Sequence, residues 1–190
     1  MPRLLIVIAS TRPGRVGQQV GEWFSHLARD HGGFEVEVAD LAELALPFLD
    51  EPNHPRLRQY TKDHTRRWSA TVDGADAVVF VTAEYNYGYP APLKNAIDYL
   101  HQEWRHKALG YVSYGGIAAG TRSVQQLKQV TQSVGLVSAQ ALVHIPFVAE
   151  RLDENRRLRV DEGLEQAAGA MLDELLRLDG ALSALRADTA

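Results

Sequence analysis

Cysteine is absent from this chain. Its absence excludes a disulfide framework, a thiolate metal site, an iron–sulfur cluster and a catalytic thiol. Any redox chemistry must therefore use a borrowed cofactor. A cysteine-free sequence suits the cytoplasm, which is the compartment expected. Long apolar runs are also missing. Leu4 to Ala9 is only six residues and is followed by Arg12 and Arg15. A membrane span takes about 20 apolar residues, and the run is too short for a signal-peptide core. Charge of one sign is lacking: the formal net charge is −4. Neither nucleic acid nor a membrane surface is expected as a partner. The seven His include no H-x-x-x-H pair, so no metal site is expected. There is no G-x-S-x-G, which argues against a serine hydrolase.

What is present is a globular sequence of 190 residues, 45% hydrophobic, expected to form a single domain over 1–190. Leu4 to Ala9, Ala77 to Val81 and Leu109 to Tyr114 are apolar runs of the kind buried on both faces of a parallel sheet. Phe34 to Val38 alternates, as a half-exposed strand does, and Leu136 to Ile145 is read mainly as a strand. Helical spacing predicts helices over about Val16–Asp30, Arg56–Val72, from Pro92 through Leu100, Thr121–Val134 with Thr121 as cap, and Glu162–Leu185. Leu41 to Pro55 reads as loop, and charged 147–160 is open between a hairpin and another excursion. Strands alternating with helices give an α/β, three-layer, doubly wound parallel sheet of five strands. Ligands of such sheets sit outside the carboxyl ends of the strands.

That rule selects three loops. The first, Ser10 to Gly17, follows the first strand and opens a helix, whose free N–H groups and positive end favour a phosphate. Ser10, Thr11 and Arg12 add donors. The loop is neither a Walker A nor a G-x-G-x-x-G fingerprint, so a mononucleotide phosphate fits it better than a dinucleotide. An ordinary capped turn is the plainer reading. The second loop, Ala83 to Pro90, places three Tyr in five residues, which could cover a flat heterocycle or simply pack together. Glu84 within it reads as an acid, a base or, more simply, a capping carboxylate. The third, Tyr114 to Gly120, offers glycines for close backbone approach.

Ala-Ser-Thr-Arg-Pro-Gly-Arg-Val-Gly at 9–17 resembles the phosphate loop of the NADPH-dependent FMN reductase family. Glu84-Tyr85-Asn86, with Pro92-Leu93-Lys94-Asn95-Ala96-Ile97-Asp98 after it, is similar to that family's second signature, and Tyr114-Gly115-Gly116 to its third loop. Ala83 stands where the family usually has Pro, and Ala9 where it has Gly. The resemblance implies a flavodoxin-like sheet in the order 2-1-3-4-5, bound FMN, and NADPH or NADH as co-substrate. It implies that Ser10, Arg12, Val16 and Gly17 hold the phosphate. Glu84, Tyr85, Asn86 and Tyr87 follow the ring edge, largely through backbone, and Gly115 and Gly116 approach its pyrimidine end. No protein residue is catalytic in this reading, because the flavin carries the hydride. The acceptor is then a quinone, azo compound, metal oxyanion or free flavin. The family also implies a homodimer or homotetramer, with the Leu93–His101 helix near the interface. Two other readings stand beside it: a flavodoxin-like electron carrier without a nicotinamide site, and a doubly wound domain with no flavin.

Overall fold

The computed structural model describes residues 1–187. Its strands are β1 (Arg3–Ile8), β2 (Glu35–Asp40), β3 (Ala77–Ala83), β4 (Ala108–Tyr114), β5 (Val137–Ser138) and β6 (Val143–Ile145). Its helices are α1 (Gly17–His31), α2 (Leu41–Leu44), α3 (Asp63–Asp73), α4 (Ala91–Asp98), α5 (Thr121–Ser133) and α6 (Glu162–Ala187). The strands form one parallel sheet in the order β2-β1-β3-β4-β5, with β6 also paired to β4. The expected flavodoxin-like order is therefore the observed one.

Period-two alternation divides each central strand between two cores. Leu4, Ile6, Val79, Val81 and Val112 face α1 and α6, meeting Val20, Phe24, Met171 and Leu172. Leu5, Val7, Val78, Phe80 and Tyr111 face the other way, meeting Trp68, Leu93, Ile97 and Leu127. Both large indoles there are satisfied: Trp68 donates to the Ala96 carbonyl at 2.8 Å and Trp104 to that of Ile97 at 3.1 Å. β1, β3 and β4 are buried on both faces, as their unbroken apolar runs require.

Four local readings of the sequence are corrected. The fifth strand is interrupted, because the amides of Gln140 and Ala141 donate to the Glu174 carboxylate on α6 at 2.9 and 2.7 Å. The helix expected from Arg56 begins only at Asp63. Just before it, the Glu51 carboxylate holds the Thr61 and Lys62 amides, at 2.8 and 2.9 Å, in a non-helical turn. Thr121 is the first residue of α5 rather than its cap. The cap is Gly120 at φ +79°, where a Cβ would lie 2.8 Å from the Ser113 Cβ and 2.9 Å from the Tyr114 nitrogen. The expected loop after β2 contains the short α2, which Asp40 caps by accepting from the Ala42 amide.

The 147–160 segment is a 3-10 turn over Val148–Arg151 followed by a small hairpin closed by the Leu152–Leu158 bridge. Asp153 holds the hairpin's tip by accepting from the Asn155 and Arg157 amides. Among the described residues no helix is long and apolar enough to cross a membrane, and no group of three or more His, Cys, Asp or Glu is placed to hold a metal.

Candidate flavin site

Parallel register brings the three loops together. Ile8 pairs with Val81, and Ala83 pairs with Tyr114, so β1, β3 and β4 end side by side. Their loops, with the 147–150 turn, enclose a cleft of about 320 Å³. Ser10, Arg12, Val16, Glu84, Tyr85, Gly115 and Gly116 all line it. Of the residues singled out in the sequence, Gly17, Asn86 and Tyr87 are not among those that line it.

On the phosphate side, α1 opens without a side-chain cap and without an acidic residue in its first turn. Its N-terminal N–H groups thus have no side chain to satisfy them, an arrangement that favours an anion. Arg12 is exposed and its guanidinium pairs with no acid or carbonyl among the described residues. Arg15 is different: it is paired with Asp40, and both side chains are largely buried. The hairpin also reaches this loop, where Arg156 donates to the Gly14 carbonyl at 3.3 Å. Ser10 is fully buried and shares a hydrogen bond of 2.5 Å with the Tyr85 hydroxyl, which joins the first loop to the second.

Among the described residues the buried Tyr114 hydroxyl makes no hydrogen bond of good geometry, and Ser10 is the polar side chain near enough to act on it. Burial pushes its pKa up, with Tyr85 adding to the rise, so the phenol keeps its proton and can donate. A buried donor left without a partner is costly unless a ligand satisfies it. The Phe147–Glu150 turn adds wall residues from outside the three loops that the sequence singles out. The signal that could have found the turn is position, since Phe147 lies two residues beyond the last strand segment at the sheet's carboxyl edge.

On the ring side, Tyr85 to Gly88 forms a two-residue turn closed by reciprocal backbone hydrogen bonds of 2.9 Å. Asn86 and Tyr87 occupy its centre at φ +50° and +72°, the left-handed conformation such turns demand. Glu84 is a capping carboxylate: it accepts from the Arg122 amide at 3.3 Å and from Arg122 Nε at 2.5 Å. In the third loop the Gly115 amide is taken by the Ile145 carbonyl at 3.2 Å. A Cβ on Gly116 would meet nothing within 4 Å, so that backbone is open to a ligand.

These groups suit FMN. The uncapped helix, the unpaired Arg12 and the unsatisfied Tyr114 hydroxyl converge from one side, while a flat glycine backbone lies at the other. The comparisons agree with that chemistry. The family model described as NADPH-dependent FMN reductase matches residues 2–150. An NAD(P)H-dependent FMN reductase of Schizosaccharomyces pombe is 40% identical over 131 residues, which span 68% of this chain and 65% of that relative, just under two thirds of its length. An NAD(P)H-dependent FMN reductase of Saccharomyces cerevisiae is 33% identical over 162 residues, spanning 79% and 84%. Among solved structures, the flavoenzyme NAD(P)H:acceptor oxidoreductase of Paracoccus denitrificans shares the fold, with TM-score 0.76 at 20% identity over 95% of this chain and 98% of that one. Matched along most of its length by the model and by these relatives, the chain belongs to the NADPH-dependent FMN reductase family.

Proposed function

We propose that the chain is an FMN-dependent NAD(P)H oxidoreductase that reduces a small acceptor such as a quinone, azo compound, metal oxyanion or free flavin. The observation that carries this reading is the convergence of the uncapped α1 terminus, unpaired Arg12 and open Gly116 on one cleft. Bound FMN would supply the two-electron chemistry that links oxidation of NAD(P)H to reduction of the acceptor.

The residues of the chain hold and orient. Arg12, the α1 N–H groups and Tyr114 take the phosphate side. Ser10 serves that side through its shared bond with Tyr85. Val16 and Gly17 carry the turn into the helix. The 84–87 turn shapes the ring side, its Glu84 and Tyr85 amides already bonded to Tyr114 and Gly88, and the open Gly116 backbone faces the ring. Gly115 supports the ring side structurally, since its amide is already bonded. One FMN-binding domain over 1–190, a cytoplasmic setting and a homodimer or homotetramer complete the proposal.

The test is NAD(P)H oxidation by the FMN-loaded protein, followed at the nicotinamide absorbance with a quinone and with an azo dye as acceptors. Turnover well above that of the same concentration of free FMN is expected. Tight FMN binding without such turnover would favour the electron-carrier reading instead. Failure to bind FMN would overturn both.

A further inference from the structure

We propose that Arg122 is a positioning residue of the flavin site, one that neutralises Glu84 and fixes the ring-side turn. The inference rests on the FMN reading above and extends it to a residue outside the three loop motifs. Arg122 sits in the first turn of α5. A cation there opposes the helix dipole, so its placement calls for a compensating interaction.

That interaction is with the second loop. The Glu84 side chain is 7% exposed, and among the described residues every hydrogen bond its carboxylate accepts comes from Arg122: from Nε at 2.5 Å and from the amide at 3.3 Å, with Nη2 paired to the same carboxylate. Contact with Glu84 raises the Arg122 pKa above its ordinary value, so the guanidinium stays charged. The guanidinium also lies 3.7 Å from the centroid of the Tyr87 ring, a cation–π contact. One helical turn on, Gln126 Nε2 donates to the Tyr87 carbonyl at 3.0 Å. A single helix face therefore holds the carboxylate that begins the loop and Tyr87, one of the turn's two residues at positive φ.

The arrangement has an electrostatic consequence. Glu84 lines the flavin cleft. Unpaired, it would place a buried negative charge beside a cofactor that gains negative charge on reduction. Paired with Arg122, it adds little net charge there. Arg122 thus both shapes the loop and protects the reduction potential of the cofactor.

The charge signs make the two roles separable. Apo-protein is titrated with FMN by fluorescence quenching, and the two-electron midpoint potential of the bound flavin is measured by dye-equilibrated reduction. Arg122→Ala is expected to weaken FMN about tenfold, the equivalent of one charge-assisted contact, and to lower the potential. Glu84→Gln leaves Arg122 uncompensated and is expected to raise the potential. Combining the two is expected to return the potential towards wild type while affinity stays low. Arg122→Lys keeps the charge but not the fork or the stack, so it is expected to preserve the potential and lose affinity.

Equal potentials in wild type, Arg122→Ala and Glu84→Gln would overturn the proposal. If Arg122→Ala fails to fold, as judged by circular dichroism, the near-isosteric Glu84→Gln still decides the electrostatic claim. A wild-type protein that binds no FMN would overturn the underlying reading. Wild-type binding with unresponsive variants would overturn this inference alone.

Discussion

A Cβ placed on Gly17 would lie 2.5 Å from the Tyr114 hydroxyl oxygen. The glycine is required here by space and not by backbone angle, because α1 begins against the end of β4. Gly17→Ala forces the phenol to move. Overpacking of this kind costs about 1–3 kcal/mol. For a chain of this size that corresponds to a melting point lower by roughly 2–12 °C. Tyr114→Phe removes the oxygen in the way, so the double variant is expected to recover most of the loss in a thermal melt of the apo-protein. The same Tyr114→Phe change alone is expected to weaken FMN, by about tenfold, if its unsatisfied hydroxyl donates to the cofactor.

Arg12 gives the opposite profile, binding without stability. It is exposed and its guanidinium has no partner among the described residues. Arg12→Ala is expected to leave the melting temperature within a degree or two of wild type, as surface changes usually do. Loss of a charge-assisted phosphate contact costs about 1.5–3 kcal/mol, which is about tenfold to a hundredfold in FMN affinity. An unchanged dissociation constant would place the phosphate elsewhere.

Arg15, three residues on, looks equivalent in the sequence and is not. Its pairing with Asp40 ties the phosphate loop to the end of β2, and Asp40 also caps α2 through the Ala42 amide at 2.9 Å. The two side chains are only 16% and 10% exposed. Arg15→Ala leaves a largely buried carboxylate without its partner, and a stability loss of about 1.5–3 kcal/mol is expected in urea unfolding. Arg12→Ala and Arg15→Ala should therefore separate cleanly into a binding variant and a folding variant.

That contrast shows what was legible in the sequence. The sheet and the position of the site follow from unbroken apolar runs and the carboxyl-edge rule, which are local patterns. Seven of the ten candidate residues line the cleft for that reason. Asn86 and Tyr87 do not line it; they form the centre of a tight turn with two positive φ values, which the motif alone does not reveal. The partners that decide a side chain's role were hidden. Asp40 is 25 residues from Arg15, Arg122 is 38 from Glu84, and Glu174 interrupts the fifth strand from 34 residues away. Such pairings depend on tertiary approach and leave no period or motif along the chain.

Glu51 is another distant partner, and its effect should be readable by pH. Burial alone would raise its pKa, but hydrogen bonds from the Thr61 and Lys62 amides and from the Thr61 hydroxyl outweigh that and bring it to about 2. The free carboxyl has a pKa near 4.5. A carboxylate whose pKa is lower in the folded state stabilises the fold above its unfolded value and ceases to do so as pH falls. The contribution is thus fully present above about pH 4.5 and is lost progressively down to about pH 2. A shift of that size corresponds to at most about 3 kcal/mol, reduced by solvent at this partly exposed position. Glu51→Gln keeps the shape but loses the charge that the two amides favour. It is expected to be less stable than wild type at pH 7 and to show a shallower decline in unfolding free energy between pH 4.5 and 2. Parallel pH profiles for the two proteins would mean that the 59–62 turn is held by its own backbone and not by Glu51.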